Sequence, residues 1–169
     1  MNKQERIEFK LRPALQECWL HQTRLHAAWQ EAINFSAIKD IAIHELNDAE
    51  VRTLDQLVFR FGKLQDAIGS RLLPAILQIL QEWQEHEAFL DKLNRAEKIG
   101  LLPSVDKWLL LRELRNQTAH EYPEHPEVVI ANLRHLVTHV PMLEQSFLHL
   151  AGAANARILT PNQQDNGSP

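Results

Sequence analysis

Arg115, Asn116 and His120 are the residues of this chain whose types and spacing suit chemistry. On a helix Asn116 and His120 stand four residues apart and share a face. Arg115, one residue before Asn116, is long enough to reach round the same edge. Tyr122 follows, its backbone held out of the helical region by Pro123. Such a set suits a phosphodiester. Metal-free cleavage of RNA needs a base for the 2′-hydroxyl, an acid for the leaving 5′-oxygen, and positive donors for the charge that builds on the phosphorane. Imidazole serves either proton role because it titrates near neutrality, and a guanidinium grips two phosphate oxygens at once. One such histidine per chain leaves a proton role vacant. A two-fold dimer that sets this helix end against its mate supplies a second His120 and a second Arg115. The spacing alone favours a plainer arrangement, with Arg115 and Glu113 as solvated helix charges, His120 drawn to a helix C-terminus by the macrodipole, and Tyr122 covering the core.

The elements that must position these residues read as helices. Five glycines and eight prolines in 169 residues, with few β-branched runs, give high helical propensity almost throughout. Ile41-Ala42-Ile43-His44 is the nearest approach to a strand, and it is short. The first helix runs to about Ile33 with Leu11, Leu15, Cys18, Leu25 and Trp29 on one stripe, and Pro13 marks its start or a kink. Asn47 and Glu50 form a reciprocal cap for the second, with Leu46 and Val51 as a staple. Its buried stripe is Val51, Leu54, Leu57, Val58, Phe61, Leu64, Ile68 and Leu72. After Pro74, residues 75–83 continue that helix past a kink or begin another.

A shorter helix from about Ala88 ends at Gly100, and Ser104 caps the next, which carries Val105, Trp108, Leu109, Leu110, Leu111 and Leu114. That helix is apolar on most sides, so it is central to the bundle or covered on one flank by a second subunit. Pro123 and Pro126 break the chain, and a long last helix follows, bent at Pro141 if anywhere. The expected organisation is one bundle domain over residues 1–152 and a disordered tail over 153–169.

Composition narrows the setting. With 44% hydrophobic residues the chain can build a core without staples. Its single cysteine, Cys18, excludes an intrachain disulfide or a thiolate zinc cluster and fits a reducing compartment, so the cytoplasm is expected. No run approaches the roughly 20 apolar residues of a membrane span, and the opening MNKQERIEFK lacks a signal-peptide core. A formal charge of -4 argues against bulk electrostatic binding of nucleic acid, so any such contact must be local.

Other groups carry less. His135 and His139 stand four apart, a zinc-compatible spacing, but lack a third ligand, and neither a metal nor another cofactor is expected. His21 and His26 are weaker still. Trp19, Trp29, Trp83 and Trp108 read as core or interface anchors. Arg6, Lys10 and Arg12 form a modest basic edge offset by neighbouring glutamates. Asp66 and Glu113 could orient His120 or Arg115, but each reads more simply as a surface charge.

The pattern Arg-Asn-x3-His-x-Tyr, as Arg115, Asn116, His120 and Tyr122 after Trp108-Leu109-Leu110-Leu111-Arg112-Glu113-Leu114, resembles the signature of the HEPN superfamily. It is most similar to the toxins of MNT/HEPN toxin and antitoxin pairs, whose motif is Arg-x4-His-x-Tyr. Residues 93–102, LNRAEKIGLL, are similar to the family's approach to that motif, and the resemblance covers about residues 88–135. It implies an all-α, up-and-down bundle of four or five helices that forms a homodimer along the motif helix. It further implies a metal-independent endoribonuclease cleft at that interface, acting on RNA to leave a 2′,3′-cyclic phosphate. Arg115 and His120 would be catalytic, and Asn116 would orient them or bind phosphate. Tyr122 would be adenylylated by a nucleotidyltransferase antitoxin, which adds charge and bulk two residues from His120. The alternative is a non-catalytic partner that presents a nucleotide or a tyrosine to a nucleotidyltransferase.

Overall fold

Three helix starts in this chain follow from side chains that answer the first open N–H groups. Asn47 Oδ1 accepts from Glu50 N at 2.9 Å, and the Glu50 carboxylate accepts from Asn47 N at 3.0 Å, so the reciprocal cap expected here forms. Asn2 and Glu5 make the same box, and Ser104 Oγ accepts from Lys107 N at 3.2 Å.

The computed structural model describes residues 1–119 and 124–160. Helix α1 covers 3–32 as Lys3–Arg6, a π-helical turn Ile7–Leu11, and Arg12–Ala32. A single turn, α2, is Ser36–Lys39. Helix α3 covers 48–79 as Asp48–Ala67, a π turn Ile68–Leu72, and Leu73–Ile79. Then come α4 (Phe89–Lys98), α5 (Val105–Thr118) and α6 (Pro126–Ala154), the last continued by a π turn, Asn155–Leu159. Among the described residues there is no strand, and 41–44 form a turn and coil.

Prolines shape three of these helices without ending them. A proline removes one N–H and its ring crowds the carbonyl four residues back. Pro13 and Pro74 each follow a π turn by two residues, and that wider turn accommodates the ring. The two π turns pack against each other. Pro141 is handled differently: α6 continues through it, and the carbonyl of Val137, four residues back, accepts from Trp29 Nε1 at 3.0 Å instead. A tryptophan of α1 therefore replaces the donor that Pro141 lacks.

Helix α1 packs chiefly on α3, α6 lies on α5 and α1, and α3 reaches both α5 and α6. The buried stripes meet in one core, with Phe61 and Phe147 fully enclosed and Leu11, Leu25, Leu57, Leu111 and Leu143 around them. Each such side chain contributes about 1.5–3 kcal/mol on burial. Periodicity fails at Val51, Leu109 and Leu110, which remain 38–40% exposed. Helix α3 stops at Ile79, and Gln81 adopts a positive φ of 62°. Trp83 thus lies beyond the helix.

Gly100 closes α4 with φ of 75°, the left-handed geometry glycine favours. The carbonyls around that end are answered from the end of α6: Arg157 Nη1 donates to Ile99 O at 2.8 Å, and His149 Nε2 donates to Gly100 O at 2.8 Å. This explains a correction to the expected boundary at 152. The last helix continues through Ala154 and its π turn to Leu159, because Ala154 is buried and Ile158 and Leu159 pack on the core. Of the expected tail, 161–169 lie outside the described residues. No helix is long and apolar enough to cross a membrane among the described residues.

Candidate functional site

Arg115 stands in the last turn of α5, and its side chain crosses to α3. Nη1 donates to Asp66 Oδ1 at 2.7 Å and Nη2 donates to Asp66 Oδ2 at 3.1 Å, a two-pronged fork. Gly62, one turn before Asp66, keeps that path open: a Cβ there would stand 3.6 Å from Arg115 Nε. Both partners are well exposed, at 37% and 50% of their side chains. Such a pair contributes at most about 1 kcal/mol to stability. Its stronger effect is geometric, since it fixes where the guanidinium points.

The motif's other residues divide in two. Asn116 is exposed beside Arg115. His120 and Tyr122 lie outside the described residues. The helix that carries them forward ends where Thr118 turns its hydroxyl back, donating to Arg115 O at 2.9 Å, and Ala119 N donates to Arg115 O at 3.1 Å. Between the two acids considered as acceptors for Arg115, Asp66 is the one engaged. Glu113 instead accepts from Gln117 Nε2 on its own helix at 3.4 Å.

The Arg115–Asp66 fork borders an open groove of about 360 Å³ between α3, α5 and the start of α4. Its α3 wall is Gln65, Asp66, Gly69 and Ser70, and the last two belong to the π turn ahead of Pro74. Across it stand Trp108, Arg112 and Arg115, with Phe89 at one end. Gly69 permits this closeness, because a Cβ there would lie 3.3 Å from Trp108 Cζ2 and 3.7 Å from Phe89 Cζ. Gln65 is 3% exposed, and neither its amide nitrogen nor its oxygen has a hydrogen-bond partner among the described residues. In the sequence Gln65 carries no signal of its own, and Asp66 reads as a surface charge that could orient Arg115 or His120. The available signal was that Gly62, Asp66 and Gly69 put small or polar residues on one side of an otherwise apolar helix.

Elsewhere, most buried polar groups are committed to structure, although Arg60 Nε too lacks a partner among the described residues. His139 Nδ1 donates to His135 O at 2.7 Å, which takes that nitrogen away from any metal. Among the described residues no three metal-ligating side chains gather. His26 Nδ1 and Gln22 Nε2 reach the buried Glu144 carboxylate at 2.9 and 3.3 Å. His21 Nδ1 accepts from Arg60 Nη1 at 2.9 Å, so its proton sits on Nε2, and burial followed by the Arg60 charge lowers its pKa below 6.5. Cys18 is an inert core thiol, pushed up to about 12 by burial. Trp108 is buried, Trp83 lies under the Lys92 ammonium at 3.7 Å, and Trp19 stands edge-on to Phe147 while 45% exposed.

No family model matches this chain, and neither does a curated protein or a solved structure.

Proposed function

We propose that this chain is a HEPN-type endoribonuclease toxin, cutting RNA without a metal at a cleft shared by two copies and silenced by a nucleotidyltransferase antitoxin. The observation that carries the reading is Arg115, held by Asp66 at the mouth of an open groove, in the setting of the Arg-x4-His-x-Tyr motif. A guanidinium has five N–H donors, and the fork to Asp66 leaves the rest for phosphate oxygens. In the proposed step one His120 removes the 2′-hydroxyl proton and that oxygen attacks phosphorus. The 5′-oxygen leaves with a proton from the partner copy's imidazole, giving a 2′,3′-cyclic phosphate. Arg115 offsets the added phosphorane charge, and Asn116 supplies a neutral amide beside it. Silencing follows if the Tyr122 oxygen bonds to the α-phosphorus of ATP and pyrophosphate leaves, because the AMP group then competes with RNA.

The engagement of Arg115 by a carboxylate favours one other reading, a binding-only partner of a nucleotidyltransferase. Expression of this chain alone separates the two. A toxin arrests growth, and Arg115→Ala or His120→Ala relieves the arrest; a binding-only protein is tolerated in all three forms. Incubation with ATP, magnesium ion and the cognate nucleotidyltransferase should add the mass of AMP to Tyr122, the only tyrosine in the chain. Equal labelling of Tyr122→Phe would remove the off-switch assignment.

A further inference from the structure

We infer that single-stranded RNA runs along the seam between α3 and α5 and crosses Arg115, with Phe59 and Phe89 each stacking a base on opposite sides of it. The inference rests on the ribonuclease reading above for its ligand and adds the residues that hold the strand open.

The fork between Arg115 and Asp66 divides the seam. Toward the start of α5 lies the groove already described, with the Phe89 ring beside Gly69 at its end. Toward the end of α5 a second, larger groove opens between Asp55, Val58 and Phe59 of α3 and Thr118 and Ala119 of α5. Phe59, Lys63 and Asp66 follow one another at spacings of four and three, so they share a face of α3. The fold encloses Phe61 and Phe147 completely, yet it leaves Phe59 52% and Phe89 38% exposed. An open ring beside cations is what a single strand uses, because every base has a flat face to stack and the charges answer its phosphates.

Cations mark the path between the two rings. Lys63 Nζ lies 5.6 Å from the Phe59 ring centre and Arg60 Cζ lies 5.2 Å from it. Arg115 stands at the divide, and Arg112 lines the first groove about one turn earlier on α5. Two carboxylates share the seam and set its limits. Asp66 is committed to Arg115. Asp55 repels phosphate from the second groove, whose other walls are mostly apolar, so a base fits there and the backbone does not. This local attraction is the kind that a chain of charge -4 can offer.

Distance decides how the strand must lie. Phe59 and Gly69, beside which Phe89 sits, are ten residues apart on α3, about 15 Å along a helix. Stacked neighbours on one strand are only about 3.4 Å apart. The two rings therefore receive bases pulled out of the stack, with the phosphate between them passing Arg115. A duplex cannot open in this way without losing its pairs, so the seam selects single strands.

The test measures binding, not cleavage. The full chain is titrated by fluorescence anisotropy against a labelled 2′-O-methyl oligonucleotide, which lacks the attacking hydroxyl, either single-stranded or annealed to its complement. The single strand should bind at least tenfold tighter than the duplex. Phe59→Leu and Phe89→Leu should each weaken the single strand about tenfold, while Phe59→Trp and Phe89→Trp should bind at least as well as the native chain. Phe9→Leu, which removes a 70% exposed phenylalanine from α1, should change nothing. Salt separates the two kinds of contact: its slope should stay native in the phenylalanine variants and fall by about one in Lys63→Gln and in Arg112→Gln. Native affinity in both leucine variants of the seam overturns the inference, as does an equal loss in Phe9→Leu or a duplex bound as tightly as the single strand. A native chain that binds neither also overturns it. Binding that depends on both rings in a chain that cleaves no unmodified RNA keeps the seam and removes the ribonuclease reading. Cleavage that neither Phe59→Leu nor Phe89→Leu impairs removes the seam alone.

Discussion

The seam between α1 and α6 and the edge between α3 and α5 are built from similar polar residues and treat them in opposite ways. At the seam, buried polar groups are answered inside the molecule. Glu144 receives His26 and Gln22, Ser146 donates to Met142 O at 2.9 Å, and Trp29 supplies the donor that Pro141 withholds from Val137. At the α3–α5 edge, Gln65 is buried and unanswered, and two guanidiniums face an open groove. Buried polar groups are expensive unless paired. Their pairing marks the seam as structure, whereas the edge leaves Gln65 unanswered among the described residues and keeps its cations beside open space.

Substitutions at the two regions should therefore fail in different measurements. The largest effect is expected at the edge: Arg115→Ala should lower RNA cleavage by about 100-fold or more, as loss of a positive donor to a developing charge does elsewhere. Its unfolding free energy should change by no more than about 1 kcal/mol, because the Asp66 pair is exposed. At the seam the reverse holds. Trp29→Phe should cost about 1–3 kcal/mol in denaturant unfolding by orphaning the Val137 carbonyl. Pro141→Ala in that background should recover much of the loss, since residue 141 then donates within the helix. No recovery would show that Trp29 acts through packing alone.

Between α1 and α3 a smaller, pH-dependent effect is expected. His21 titrates below 6.5 in the folded chain because burial and Arg60 disfavour its charged form. The unfolded chain thus binds the proton more readily, so stability is highest above the unfolded imidazole's range and falls as pH drops through 6.5. Replacing His21 by Gln should flatten that fall, and an unchanged slope would assign it to other groups. Smallest of all, Arg157→Ala should loosen only the end of α6. It should raise amide exchange around 153–160 while leaving global unfolding nearly unaltered.

What the sequence made legible was local. The Asn47–Glu50 cap, the Ser104 cap, Gly100 and most of the apolar stripes depend on spacings within a few turns, and they stand where expected. Partners distant in sequence were out of reach. Asp66, 49 residues from Arg115, could be weighed only beside Glu113 and reads as a surface charge, and Val137 is 108 residues from Trp29 with nothing in either neighbourhood naming the other. Leu109 and Leu110 extended the apolar run of α5 yet lie half-exposed, because one helix face suffices for the core. The helix reading placed Arg115 near the end of α5, where it stands, and Asp66 adds what fixes its direction.

The central claim is that Arg115 and His120 cut RNA without a metal. The most direct measurement is end-group analysis of single-stranded RNA incubated with the pure chain in EDTA. The native protein should leave 2′,3′-cyclic phosphate ends, and Arg115→Ala or His120→Ala should leave almost none while remaining folded. Intact RNA from the native chain, or undiminished cleavage by either variant, would contradict the account.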